Sequence, residues 1–337
     1  MQQFKKTVSF SANAVNVFFH ILTRCNLSCR HCYINPEQQG SGSLSPEVME
    51  KWLNILKGGH MNANLIFLGG EPTLHPDLAD AIKAARKIGY TSITVDTNGY
   101  LFHDILEKTT PEEVDFFSFS LDGATRETND GIRGKGCFET CVSGIRKAKG
   151  KGFSTSLIYT VSSLNIHELE KMPFFLEKLP LDRFFIQVIG IRGKSAGPLN
   201  RELQVSGEKW LDTVLKTAEK IAGMGIPVSY PKVFLNPNEP FQCAGKAAKN
   251  YFVFPNGRVY QCPLCEDFPL HSLEFKEHHL VQTGKINEMD LFGLDIPEGC
   301  VMNKLIQPEN LDYLSPGVPK YKIACCLLKE EIGPENR

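Results

Sequence analysis

The chain has no run of apolar residues long enough to cross a bilayer, which takes about 20 in succession. Its first stretch, MQQFKKTVSFSANAVNVFFHIL, carries lysines, but Asn16 and His20 interrupt the apolar part. No small-residue cleavage site follows, so the stretch does not read as an export signal. An excess of one charge is missing too: 37 Lys and Arg face 38 Asp and Glu, for a formal net charge of −1. Such a chain offers no overall field to hold a nucleic-acid backbone or an anionic membrane. Internal repeats and low-complexity tracts are also missing. What remains is the composition expected of a cytoplasmic globular protein, 42% hydrophobic and 22% charged. Its 337 residues suffice for one large domain and a smaller one.

Cysteine is too sparse for a disulfide scaffold, with 11 residues in the chain. In a reducing compartment, clustered cysteines serve metals or redox chemistry. They fall into three groups: Cys25, Cys29 and Cys32; Cys137 and Cys141; and Cys243, Cys262, Cys265, Cys300, Cys325 and Cys326. The first group lies in TRCNLSCRHCYI, where close-set thiols suit zinc or an iron–sulfur centre. A structural tetrahedral site wants four protein ligands, so three leave one coordination position open. A zinc knuckle completed by His31 or a later cysteine is the competing reading. Cys137 and Cys141 share one helix face and read as two buried core thiols.

Strand and helix signals alternate through the first 200 residues. The strands are VNVFFHIL (15–22), ANLIFLGG (63–70), TSITVDTNG (91–99), VDFFSFSLDG (114–123), STSLIYTVSSLN (154–165) and RFFIQVIGI (183–191). Between them, SPEVMEKWLNIL offers Ser45 as a cap and Pro46 at the first helical position, and HPDLADAIKAARKIG closes on Gly89. CFETCVSGIRKAKGKG, HELEKMPFFLEKL and EKWLDTVLKTAEKIAGMG are the later helices. Strand–helix–strand units of this length imply right-handed crossovers and a parallel sheet. The expected fold is therefore α/β, a partial (β/α)6 TIM-like barrel over residues 1–230, open because six strands do not close one. The active site belongs at the C-terminal strand ends.

From about 230 the character changes to a loop-rich, cysteine-bearing segment, 231–337, read as a small second domain. YFVFPNGRVYQC is a hairpin turning on Asn256-Gly257. The segment is short of core-forming pattern and would need a staple, which a metal cluster would supply. The run HSLEFKEHH, with His278 and His279, reads as a solvated polar stretch.

Three strand ends add chemistry to the trio. Gly69-Gly70-Glu71-Pro72 combines glycines, which permit close backbone approach, with a carboxylate suited to an ammonium. Ser120-Leu121-Asp122-Gly123 is followed by Arg133, a natural fork for a carboxylate. Thr97-Asn98-Gly99 ends another strand on the same face; Asn165 and Gln187 end or line later ones. The trio spacing C-x3-C-x2-C, with GGEP on the next strand, resembles the radical S-adenosylmethionine superfamily. That resemblance implies a [4Fe–4S] cluster on Cys25, Cys29 and Cys32, with an open iron that chelates S-adenosylmethionine. It assigns Gly69, Gly70 and Glu71 to the cofactor's amino end, and Asn98, Ser120 and Arg133 to the rest of the cofactor. The implied chemistry is reductive cleavage to a 5′-deoxyadenosyl radical, which abstracts a substrate hydrogen.

Cys243-x13-Gly257-x4-Cys262-x2-Cys265 looks like the start of the SPASM and twitch extensions of that superfamily. The further C-x2-C-x5-C-x3-C block of SPASM is absent. The resemblance implies one auxiliary iron–sulfur cluster on Cys243, Cys262 and Cys265, with Cys300, Cys325, Cys326 or substrate as fourth ligand. A structural zinc site is the alternative. Relatives of this kind modify ribosomal peptides or assemble cofactors, so the leading expectation is a peptide maturase. The rival substrates are small molecules or cofactor precursors, and the rival class is a non-catalytic zinc or iron–sulfur module. The expected electron donor is reduced ferredoxin or flavodoxin. With Cys25 so near the start, leader-peptide binding would fall to a separate protein.

Overall fold

The structure is a computed structural model that describes residues 5–8, 14–197, 202–324 and 326–333. Eight strands run through the first two-thirds of the chain: Lys5–Val8 (β1), Ala14–His20 (β2), Asn62–Leu68 (β3), Ser92–Thr97 (β4), Phe116–Ser120 (β5), Thr155–Val161 (β6), Arg183–Val188 (β7) and Val228–Pro231 (β8). All six expected strands are among them, and β2 to β8 pair in parallel in chain order. The helices between them form where the local signals put them. Ser45 caps Pro46–Lys57 by accepting the Val48 N–H, and Gly89 ends Leu78–Ile88 in the left-handed region at φ 96°. Cys137–Gly150 and Gly207–Gly223 are the other long ones, while HELEKMPFFLEKL breaks into two short turns at Ile166–Leu169 and Met172–Leu176. No described helix is long and apolar enough to cross a membrane.

The sheet continues past both ends of that run. Downstream strands are Phe234–Leu235 (β9), Lys249–Val253 (β10), Arg258–Tyr260 (β11), Leu273–Lys276 (β12), His279–Gln282 (β13), Tyr313–Ser315 (β14), Val318–Pro319 (β15), Lys322–Ile323 (β16) and Lys329–Ile332 (β17). The expected hairpin is β10–β11, and β10 lies parallel against β2. At the opposite side β17 runs antiparallel to β8 and carries β1. One sheet of 13 strands results, in the order β1-β17-β8-β7-β6-β5-β4-β3-β2-β10-β11-β12-β13, and its two end strands do not pair with each other. His278 sits in the β12–β13 turn, where Glu277 and His278 take left-handed backbone angles.

Strand periodicity sorts the side chains into two faces. Val15, Val17, Phe19, Leu65, Phe67, Ile93, Val95, Phe117, Phe119, Leu157, Tyr159, Phe184 and Ile186 point to the helices and are fully or almost fully buried. They pack with Trp52, Leu53, Ile82, Ala85, Ile145 and Ala218 into the main core. The alternate positions form the concave face, where Asn16, Phe18, Ile66, Thr94, Asp96, Ile158, Thr160 and Phe185 keep some exposure. A second apolar cluster of Phe252, Phe254, Tyr260, Leu264, Cys265 and Met302 lies in the C-terminal part.

Candidate active site

The cysteine trio occupies the loop that leaves β2, at the C-terminal ends of the strands. The next strand end holds that loop by backbone: the Gly70 N–H donates to Leu22 O at 3.1 Å and the Glu71 N–H to Arg24 O at 3.1 Å. A Cβ on Gly70 would stand 2.4 Å from Arg24 O, and one on Gly69 would stand 2.6 Å from Leu22 O. The glycines are therefore required by the cysteine loop itself, which the sequence pattern alone does not show.

Glu71 is wholly buried. Its Oε1 accepts the Thr73 N–H at 3.1 Å, the Thr73 hydroxyl at 2.6 Å and the Thr97 hydroxyl at 2.8 Å. Its Oε2 accepts the Asn98 N–H at 2.7 Å, which ties the ends of β3 and β4 together. Burial pushes the carboxyl up, against the pull of these donors. The Asn98 side-chain amide donates to Asn26 Oδ1 at 2.8 Å and approaches Cys25 Sγ at 3.8 Å. Cys25 Sγ also accepts the Leu27 N–H at 3.3 Å. Burial raises the Cys25 thiol to about 11, and the nearby Glu71, Cys29 and Cys32 push the same way.

Asp122 is the hub of the neighbouring strand end, between Ser120 and Arg133, which the resemblance assigns to the cofactor. Its buried carboxylate lies 2.6 Å from Arg133 Nε and 3.2 Å from His31 Nε2. Its Oδ1 accepts the Thr160 N–H at 2.8 Å. Arg133 is thus turned onto a protein carboxylate beside Cys29, and Cys29 Sγ approaches Arg133 O at 3.8 Å. His31 faces Asp122 and does not join the thiols as a fourth ligand. The signal that would have found Asp122 is a carboxylate at a strand end with an arginine on the following helix. Ser120 lies on the concave face at the end of β5. Asn165 is fully engaged inside the fold, donating to Asp122 O and Thr160 O and accepting the Ser162 N–H. Cys137 and Cys141 are buried as expected.

Four of the later cysteines share one pocket. Cys243, Cys262, Cys300 and Cys326 line one pocket with Phe241, Leu264, Phe292 and Met302. Cys265 does not line it; it is fully buried in the adjacent apolar cluster. Cys325 lies outside the described residues. The loop carrying Cys262 is held by a buried carboxylate: Glu288 accepts the Gln261 N–H at 2.7 Å and the Cys262 N–H at 2.9 Å.

A buried polar strut connects the two cysteine regions, and nothing in the sequence singled it out. Arg192, just beyond β7, pairs with the buried Glu266 and donates to Pro263 O at 2.8 Å. Its guanidinium lies 4.6 Å from the centroid of Tyr33, the residue after Cys32. Tyr33 Oη is 2.8 Å from His20 Nε2, and His20 Nδ1 is 3.1 Å from Val253 O on β10. Next to it, Gly193 (φ 58°) brings its backbone so near the trio loop that a Cβ would stand 2.6 Å from Tyr33 O.

The donor set fits an iron–sulfur cluster at the trio: three soft thiols on one loop, with His31 occupied elsewhere. Among the described residues no three Cys, His, Asp or Glu side chains close at the spacing of a single metal ion. Comparison with known proteins places these features in context. Residues 19–176 match the Radical SAM superfamily, whose members bind a [4Fe–4S] cluster and S-adenosylmethionine. It is similar to Fe-coproporphyrin III synthase of Methanosarcina barkeri, 27% identical over 215 residues, which are 63% of this chain and 53% of that protein. Pre-heme d1 synthase of Dinoroseobacter shibae is 28% identical over 181 residues, 53% of this chain and 44% of that protein. The chain thus spans about half the length of the curated relatives it matches. Among solved structures, Streptococcus suis SuiB shares the fold with a TM-score of 0.60 at 15% identity, over 85% of this chain and 66% of that one. The enzyme anSMEcpe, with bound AdoMet and Kp18Cys peptide, does so at 0.56 and 15%, over 74% of each chain.

Proposed function

We propose that this chain is a radical S-adenosylmethionine enzyme whose substrate is a peptide reaching into the concave face of the sheet. The observation that carries the enzymatic reading is the trio itself: three thiols on a loop pinned by GGE, beside Arg133 and Asn98. When bound there, the cluster and S-adenosylmethionine supply reductive cleavage of the sulfonium to a radical that takes a substrate hydrogen. The chain's own residues would hold and orient. Glu71 Oε2 accepts one hydrogen bond where Oε1 accepts three, and so keeps acceptor capacity for the cofactor's ammonium. Gly69 and Gly70 would present backbone to the same end. Ser120 and Arg133 would meet its carboxylate or ribose, with Asp122 fixing the guanidinium. Orientation and exclusion of water are the protein's share of such chemistry.

We assign an auxiliary iron–sulfur cluster to Cys243, Cys262, Cys300 and Cys326, within a C-terminal domain of residues 231–337 attached to a barrel of 1–230. Cys265 leaves the ligand set and Cys326 enters it. Reduced ferredoxin or flavodoxin would deliver electrons, and a separate protein would bind a leader peptide. The peptide reading is supported by the extent of the fold likeness: SuiB bound to its precursor peptide SuiA aligns with 96% of this chain. A second reading, a cofactor precursor as substrate, is favoured by sequence relatives such as Fe-coproporphyrin III synthase and pre-heme d1 synthase.

Anaerobic reconstitution with iron and sulfide, followed by dithionite and S-adenosylmethionine, is expected to yield 5′-deoxyadenosine from the wild type and none from Cys29→Ala. Equal yields would sink the enzymatic reading, and zinc without labile sulfide would favour the binding module. For the substrate, extract from cells grown in heavy water is split into peptide and small-molecule fractions. Deuterium in the 5′-deoxyadenosine identifies the fraction that holds the hydrogen donor.

A further inference from the structure

Two charged side chains on the concave face have no role in what precedes. Asp96 lies on β4, where Ile93 and Val95 point to the helices, so its own side chain enters the hollow of the sheet. It stands in register with Ser118 on β5, which is in register with Ser156 on β6. The two serine hydroxyls meet at 2.7 Å, forming a short polar shelf next to the carboxylate. Lys329 opens β17, the strand that extends the sheet beyond β8. Its Nζ lies 4.9 Å from the ring centroid of Phe185, a concave-face residue of β7.

Both side chains are half-buried on the concave face. Burial pushes the Asp96 carboxyl up to about 7, against the pull of Lys329 and of the Ser118 hydroxyl. Burial pushes the Lys329 ammonium down, with Asp96 and Cys326 pulling it back. Asp96 also acts on Tyr33, next to Cys32. Among the described residues Lys329 forms no ion pair, whereas the nearby Arg183 has Glu331 at 3.6 Å. A half-buried ammonium with no carboxylate at ion-pair distance is stabilised by a ligand that completes it.

We propose that Lys329 and Asp96 orient the substrate, Lys329 binding a carboxylate of it and Asp96 a hydrogen-bond donor beside that carboxylate. The ligand class is an organic acid: an acidic side chain or C-terminus of a peptide, or a small carboxylic acid. This rests on the radical reading above and adds the recognition chemistry of the same site.

The test uses the reconstituted full chain and the deuterated peptide and small-molecule fractions, each before and after methyl esterification of carboxylates. The readout is the deuterated share of the 5′-deoxyadenosine, which is independent of how much active enzyme a preparation contains. For the wild type, esterifying the active fraction is expected to abolish transfer, and which fraction is active distinguishes a peptide from a small acid. Lys329→Met is expected to lower the deuterated share by roughly tenfold or more, the scale of one charge-assisted hydrogen bond. Lys329→Arg, which keeps the charge, is expected to retain most of it. Transfer that survives esterification, or a Lys329→Met share equal to the wild type, overturns the proposal. If the wild type makes no 5′-deoxyadenosine under any condition, the radical reading fails and takes the proposal with it.

Discussion

At the scale of single residues, the glycines and carboxylates around the trio act first on the protein itself. Gly70 has no room for a Cβ against Arg24 O, so Gly70→Ala must push the cysteine loop away from β3. The expected outcome is loss of most of the trio's iron, checked by iron and sulfide analysis with the cluster's EPR signal; wild-type loading would refute it. His20 gives a pH signature. Val253 O can only accept, so Nδ1 carries the proton and Nε2 accepts from the Tyr33 hydroxyl, which fixes a neutral ring. Burial, the largest influence, lowers its pKa from 6.5 to about 3. The neutral ring thus contributes its full stability above 6.5, and that contribution is lost as pH falls toward 3. Urea midpoints should decline below pH 6.5 in the wild type, and less steeply in His20→Gln. Parallel declines would remove His20 as a cause.

Among the elements, the seam between β2 and β10 matters most, because it joins the family-matched part of the chain to the cysteine-rich part. A ladder of amides crosses it: Asn64 donates to Asn16 Oδ1 at 2.9 Å and Asn16 to Asn250 Oδ1 at 3.0 Å. Two residues further along, Phe18 and Phe252 stack with centroids 4.3 Å apart. Phe252→Ala should destabilise the fold by about 3 kcal/mol, the usual range for a buried phenylalanine truncated to alanine. Equilibrium unfolding in urea measures this, and a change below about 1 kcal/mol would mean that the seam contributes little. The strands and the Asn256-Gly257 turn were legible because periodicity and turn chemistry are local. The docking of β10 was not, since a partner hundreds of residues away leaves no local mark. Asn16 and His20 look like blemishes in an apolar run. They are its concave-face positions, facing polar partners on β10.

For the whole molecule, the Tyr33–Arg192–Glu266 strut makes the two cysteine regions one mechanical unit. Arg192→Met would leave Glu266 buried without its cation. Breaking a buried pair this way costs about 3–5 kcal/mol, softened here because the Glu266 carboxyl is already pushed up to about 7 and can take a proton. Iron bound per chain is expected to fall at both cysteine groups together in Arg192→Met, and less in Glu266→Gln. Unchanged iron and an unchanged urea midpoint would show the strut to be dispensable. The trio was readable as a candidate metal site because its three thiols lie on one short loop. The later group was readable only as a set of candidates, because Cys243, Cys262, Cys300 and Cys326 arrive from four separate loops. Spacing favoured Cys265, but a residue three positions past Cys262 can as easily face the core, and here it does.

The docking of β10 on β2 also has a bearing on how this protein can be cut. A version ending near residue 230 would leave β2 with a bare row of amide and carbonyl groups beside an uncovered Phe18. An open strand rim of that kind recruits strands from other molecules. The family-matched part produced by itself is therefore expected to clump, and its behaviour would say little about chemistry in the whole chain.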